Sequence, residues 1–95
     1  MKIYPKLIFR LHALVRMAQR GFEPGDIHAK VAAAELLEDY PSDLPYPSFL
    51  LLLWINKRPV HVVAANNDQD KETIIITVYE PDQSKWTDGF RRRIS

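Results

Sequence analysis

The hydrophobic positions change their period along this chain, and each change marks a predicted element. From Lys6 to Arg20 the apolar residues Leu7, Leu11, Leu14, Val15 and Met17, with Ile8 and Ala18 beside them, recur three and four apart. That is the spacing of one helix face, and Gly21 supplies a C-terminal stop. After the Pro24-Gly25 turn, Ile27, Val31 and Ala34 repeat the spacing in an alanine-rich stretch, which predicts a second, shorter helix from about Gly25 to Ala34. Tyr40 to Pro47 holds three prolines in eight residues and reads as a loop. Leu36 to Tyr40, just before it, reads either as a short edge strand or as the end of helix two.

Three strands follow. "SFLLLLWIN" is apolar throughout, "PVHVVAAN" carries its proline at the first position, and "TIIITVY" is rich in β-branched residues. The polar tract "NDQDKE" joins the last two as a hairpin loop. The expected fold is α+β, a single domain over 1–95 with two N-terminal helices packed on an antiparallel sheet. Alternation along the hairpin predicts one apolar face from Val60, Val62, Ala64, Ile74, Ile76 and Val78, the bed for the helices. The other face takes His61, Val63, Ala65, Thr73, Ile75, Thr77 and Tyr79. A symmetric closure pairing Ala65 with Thr73 sets His61 opposite Thr77, with Tyr79 one step further along.

Composition narrows the chemistry. Ninety-five residues at 46% hydrophobic content suffice for one core. With no cysteine, a disulfide framework and a thiolate zinc site are excluded, and the cytoplasm is the simplest compartment. Three scattered histidines without HxxxH spacing predict no metal, and nothing calls for a cofactor. The apolar run Leu50 to Ile55 falls far short of the roughly 20 residues of a spanning helix, and the start "MKIYPKLIF" is broken by proline and lysine. A soluble, unprocessed protein without membrane contact is expected. That same run is apolar on both faces, so an uncovered side would serve a homodimer or another protein.

The net charge is +1, yet residues 1–34 carry six Lys or Arg against two acids, and residues 35–95 seven against ten. Three of those seven are Arg91, Arg92 and Arg93. Should the basic ends meet, they form one patch for a phosphate-rich partner; otherwise the arginine run is a solvated tail. In "HALVRMAQRG", His12, Arg16 and Arg20 lie one helical turn apart. The row is either an anion-binding edge or the wet side of an amphipathic helix. With the leucines docked inward, it would fall on the rim of the same cleft as His61. Its lack of any acid between Lys2 and Arg20 is unlike a mixed-sign solvated stripe.

"HALVRMAQRG", "PVHVVAA" and "IITVYEPDQSKW" with the basic "FRRR" end resemble, in that order and over about Ile8 to Arg93, the small bacterial proteins of domain-of-unknown-function family 4258. The resemblance implies similarity to RelE-like, barnase-type ribonuclease toxins of type II toxin–antitoxin systems. Its matching positions are His12, Arg16, Arg20, His61, Thr77 and Tyr79. Metal-free RNA cleavage needs a base, an acid and cations on the phosphate, which histidine, tyrosine and arginine supply. On this reading His61, Tyr79, Thr77 and His12 are the catalytic candidates, and Arg16, Arg20, Arg91, Arg92 and Arg93 hold RNA, free or on the ribosome, with a cognate antitoxin as protein partner. The alternative is a non-catalytic binding module that uses the basic face to hold a protein. His28 is expected at the surface, and Trp86 and Phe90 are expected to pack on the core and hold the arginine run near the sheet.

Overall fold

The computed structural model describes residues 1–94. A short strand β1 (Leu7–Phe9) precedes helix α1 (Leu11–Arg20) and helix α2 (Pro24–Lys30), which runs into a 3-10 turn at Val31–Ala33. Strands β2 (Glu35–Tyr40), β3 (Ser48–Ile55), β4 (Arg58–Asn67) and β5 (Glu72–Tyr79) follow, then a small hairpin of β6 (Trp86–Thr87) and β7 (Arg92–Arg93). The main sheet has the order β1-β5-β4-β3-β2.

The expected α+β class holds, with two helices on one face of the sheet, but two of its details do not. The helices are not N-terminal, because Lys6 to Phe9 does not join helix one. Leu7, Ile8 and Phe9 instead pair in parallel with Thr73, Ile74 and Ile75, so the sheet is mixed rather than antiparallel throughout. Their apolar run suits either period, and only the distant β5 decides between them. The connections β2–β3, β3–β4 and β4–β5 are antiparallel. Helix two ends its regular turns at Lys30 rather than Ala34, and Leu36 to Tyr40 is strand.

Local chemistry fixes the ends. Gly21 takes a left-handed φ of 76°, its N–H bonds Ala18 O and the Phe22 N–H bonds Met17 O at 2.9 Å, so the last carbonyls of α1 are satisfied. Pro24 opens α2, where the Asp26 carboxylate accepts the Glu23 N–H at 3.2 Å. Asn56 and Lys57, at φ 50° and 68°, make the tight turn that twists with β3 and β4.

The hairpin of β4 and β5 closes differently from the symmetric expectation. Its loop pairs Asn67 with Glu72 and Ala65 with Ile74, a one-residue slip that turns Ile75 toward the helices. A bulge then separates Val63↔Thr77 from Ala64↔Ile75 and adds a second slip. Two slips restore the facing, so His61, Thr77 and Tyr79 do share a face, but His61 pairs with Tyr79 and not with Thr77.

The core between helices and sheet takes Ala13 and Met17 from α1, Phe22, Ile27 and Val31 beyond it, and Leu51, Leu53, Val60, Val62, Ile75 and Val78 from the sheet. Leucines Leu11 and Leu14 are exposed, so the expectation that α1 docks leucines inward is overturned. The small Ala13 lets the helix backbone approach the sheet, and the flexible Met17 fills what remains. On the other face Leu50, Leu52 and His61 are buried, with the β6–β7 segment over His61, so the Leu50 to Ile55 run is covered on both sides except at Trp54. Among the described residues no helix is long and apolar enough to cross a membrane.

Candidate functional site

The strand period aims His61 of β4 away from the helices, between Leu52 of β3 and Tyr79 of β5. Its side chain is 0% exposed, and the rings of Trp86 and Tyr79 stand edge-on to it with centroids at 4.4 and 5.2 Å. Nε2 lies 2.8 Å from the Phe90 carbonyl oxygen and Nδ1 3.0 Å from the Tyr79 hydroxyl. A carbonyl only accepts, so Nε2 carries the proton, and in the neutral ring Nδ1 accepts from the Tyr79 O–H. Burial pushes the His61 pKa down, against the bond to Phe90, which favours the charged form. Burial likewise raises the Tyr79 phenol.

Two further groups reach this face from β2. Glu38 pairs with Leu50 and Tyr40 with Ser48, both on the same side of the sheet as His61. The Tyr40 hydroxyl donates to Glu38 Oε1 at 2.5 Å, and burial, with that bond second, pushes its pKa up to about 12. Arg93 lies 3.9 Å from Glu38 Oε2 and sits over the Trp86 ring at 5.0 Å. The charges of Arg93 and Glu38 both act on Tyr79, with opposite signs. Glu38, Tyr40, Tyr79 and Arg93 therefore gather beside a sealed histidine.

The site brings together His61, Tyr79 and Arg93, with Thr77 two residues before Tyr79 on the same face. It does not bring in His12, Arg16 or Arg20: these are exposed on α1, on the opposite side of the sheet. The charge of Arg20 acts instead on Glu80, just after β5, where it helps lower the carboxyl behind the larger effect of the bond from Arg58. Arg91 binds Glu35 at 2.8 and 3.1 Å and Arg92 faces Asp88 at 3.6 Å, so the arginine run is matched to acids rather than pooled with the basic N-terminus. Trp86 is buried as expected, and Phe90 packs edge-on against Trp54 at 6.1 Å. His28 is exposed as expected, with Nε2 3.0 Å from the Pro5 carbonyl. Sequence reasoning misses Glu38 and Tyr40; their signal is the two-residue spacing in "LLEDY", which has meaning only once that segment is a strand. Among the described residues no three His, Cys, Asp or Glu side chains converge as a metal site.

The sequence profile of the domain of unknown function DUF4258 matches residues 9–80. The chain belongs to this family. The DUF4258 match takes in α1, α2 and β2 to β5, and with them His12, Glu38, His61 and Tyr79, and it ends before the β6–β7 hairpin that covers His61. No curated protein and no solved structure matches the chain.

Proposed function

We propose that this DUF4258 member is an RNA-cleaving toxin of a type II toxin–antitoxin system, RelE-like in architecture and working by proton transfer without a metal. The observation that supports the reading is the gathering of Glu38, Tyr40, Tyr79 and Arg93 on the sheet face away from the helices. Glu38 is the base that takes the 2′-hydroxyl proton as that oxygen attacks phosphorus. As the phosphorus–oxygen bond breaks, the Tyr79 hydroxyl turns its hydrogen from His61 Nδ1 to the departing 5′-oxygen and gives it up, leaving a 2′,3′-cyclic phosphate. Arg93 holds the charge that builds on the phosphorane. His61 is a positioning residue: sealed from solvent, it fixes the Tyr79 hydroxyl through Nδ1. Thr77 and the neighbouring Arg91 and Arg92 border the RNA path, whether the message is free or on the ribosome, and a cognate antitoxin neutralises the protein.

A second reading, a non-catalytic binding module, is favoured by one observation: His61 is completely buried with both ring nitrogens engaged, the condition of a structural group. Induced expression of the wild type, Tyr79→Phe and Glu38→Gln in a bacterial host, with cleavage of total RNA read on gels, separates the two. Growth arrest and RNA cleavage by the wild type that both variants lose is the toxin result. A wild type that neither arrests growth nor cleaves RNA leaves the binding module.

A further inference from the structure

Strand β2 carries two glutamates on the face of the sheet that holds His61, and their surroundings differ. Glu35 pairs with Leu52 and Glu38 with Leu50, the register shifting between Leu36 and Glu38. Leu50 and Leu52 share a face, so this bulge turns Glu38, and Tyr40 two residues on, to the side of His61. In a regular pairing Leu37 would stand there and Glu38 would face the helices.

Glu35 meets a cation: Arg91 Nε lies 2.8 and 3.1 Å from its two oxygens. Glu38 meets a neutral donor instead. Its Oε1 accepts the Tyr40 O–H at 2.5 Å, while among the described residues Oε2 accepts no hydrogen bond and has Arg93 as its one cation, at 3.9 Å. The Glu38 side chain is 37% exposed, so Oε2 is open to a ligand. A close cation holds a carboxylate ionised and makes it a poorer proton acceptor, whereas a single neutral donor fixes its orientation and leaves its charge in place. Tyr40 remains that donor, because burial, with the bond to Glu38 second, pushes its pKa up to about 12.

We infer that Tyr40 is the positioning residue of the base: by holding Glu38 Oε1 it presents Oε2 to the ribose 2′-hydroxyl. This role rests on the ribonuclease reading. The proton passes from the 2′-oxygen to Oε2 as that oxygen bonds to phosphorus, and Tyr40 keeps its own hydrogen throughout.

The test uses the full chain and a short labelled single-stranded RNA, with steady-state cleavage followed from about pH 5 to pH 9 and thermal melting recorded in parallel. Tyr40→Phe keeps the ring and removes only the hydroxyl. Its expected result is a kcat lowered about tenfold or more with KM within about twofold of the wild type, since the base loses its orientation while RNA binding is kept. The acid limb of kcat/KM is expected to move up by about one pH unit, because a carboxylate that has lost its donor takes a proton more readily. The titratable and charged groups acting with Glu38 are Tyr40 on its own strand, His61 on β4, Tyr79 on β5 and Arg93 on β7, and of these only Tyr40 differs between the two proteins. Glu38→Ala is expected to lower cleavage about 10²-fold, and adding Tyr40→Phe to it to change the residual rate by less than about twofold, since no carboxylate is left to position. The role is overturned by an unchanged kcat, by an unmoved acid limb, or by a further loss of about tenfold in the Glu38→Ala background, which would put Tyr40 on the RNA itself. Each of these outcomes leaves a protein that cuts RNA through Glu38, so the ribonuclease reading survives it. A wild type that cuts no RNA ends both.

Discussion

His61 and Phe90 are joined across 2.8 Å by an imidazole N–H donated to a main-chain oxygen, and this bond ties the C-terminal hairpin to the middle of the sheet. Phe90 itself has a φ of 70°, an unusual left-handed conformation for a bulky residue, which the tether and the contact with Trp54 hold in place. His61→Ala leaves a cavity under Trp86 and strands both the Phe90 carbonyl and the Tyr79 hydroxyl. The expected cost is about 3 kcal/mol, measured as a lower urea midpoint. A change of less than about 0.5 kcal/mol, as at an ordinary surface position, would show the tether to be incidental.

Acid should destabilise the fold through the same residue. The buried ring of His61 holds its pKa below the ordinary 6.5. As pH falls through 6.5 the unfolded chain takes up a proton there that the folded chain refuses, so stability drops from 6.5 down to the folded value and then levels for this group. The lowered Glu80 and Asp82 carboxyls add their own losses only at more acid pH, below their ordinary 4.5 and 3.8. Urea midpoints at about pH 7 and pH 5.5 should differ more for the wild type than for His61→Gln. Equal differences in the two proteins would place the acid sensitivity elsewhere.

Tyr79→Phe removes one hydroxyl and leaves the ring packed on His61. Its stability cost is expected near 1 kcal/mol, for the lost bond to Nδ1. Its effect on RNA cleavage, and that of Glu38→Gln, is expected to be about 10²-fold or more. A cleaving protein whose rate is unmoved by both substitutions would remove these residues from the reaction.

The Arg58–Glu80 pair at 2.8 Å looks like a strong stabiliser, but its side chains are 39% and 26% exposed. Glu80→Gln should therefore cost less than about 1 kcal/mol and lose most of that in high salt. Arg58→Ala should cost more, since the Arg58 guanidinium also lies 4.2 Å above the Phe22 ring and covers it. If the two substitutions prove equal, the stacking contributes nothing.

Periodicity alone places α1, α2, β3, β4 and β5, because each carries enough apolar residues at one spacing to declare its period. The same alternation puts His61, Thr77 and Tyr79 on one face, although a symmetric pairing is off by two residues at His61. What escapes the pattern is set by contacts distant along the chain. Leu7 to Phe9 becomes a strand only because β5 lies beside it, and the bulge opposite Val63 and Ala64 has no mark in "TIIIT", where three isoleucines are interchangeable by pattern. The tertiary structure alone decides which side of α1 faces the sheet, turning Leu11 and Val15 outward and carrying His12, Arg16 and Arg20 away from His61. It also decides that the arginines of the C-terminus answer Glu35, Glu38 and Asp88. A local sequence determines the period of a segment, since sterics and hydrogen bonding act over a few residues. The rotation of a helix and the partner of a charge depend on close packing between segments far apart in the chain, and only the assembled fold fixes them.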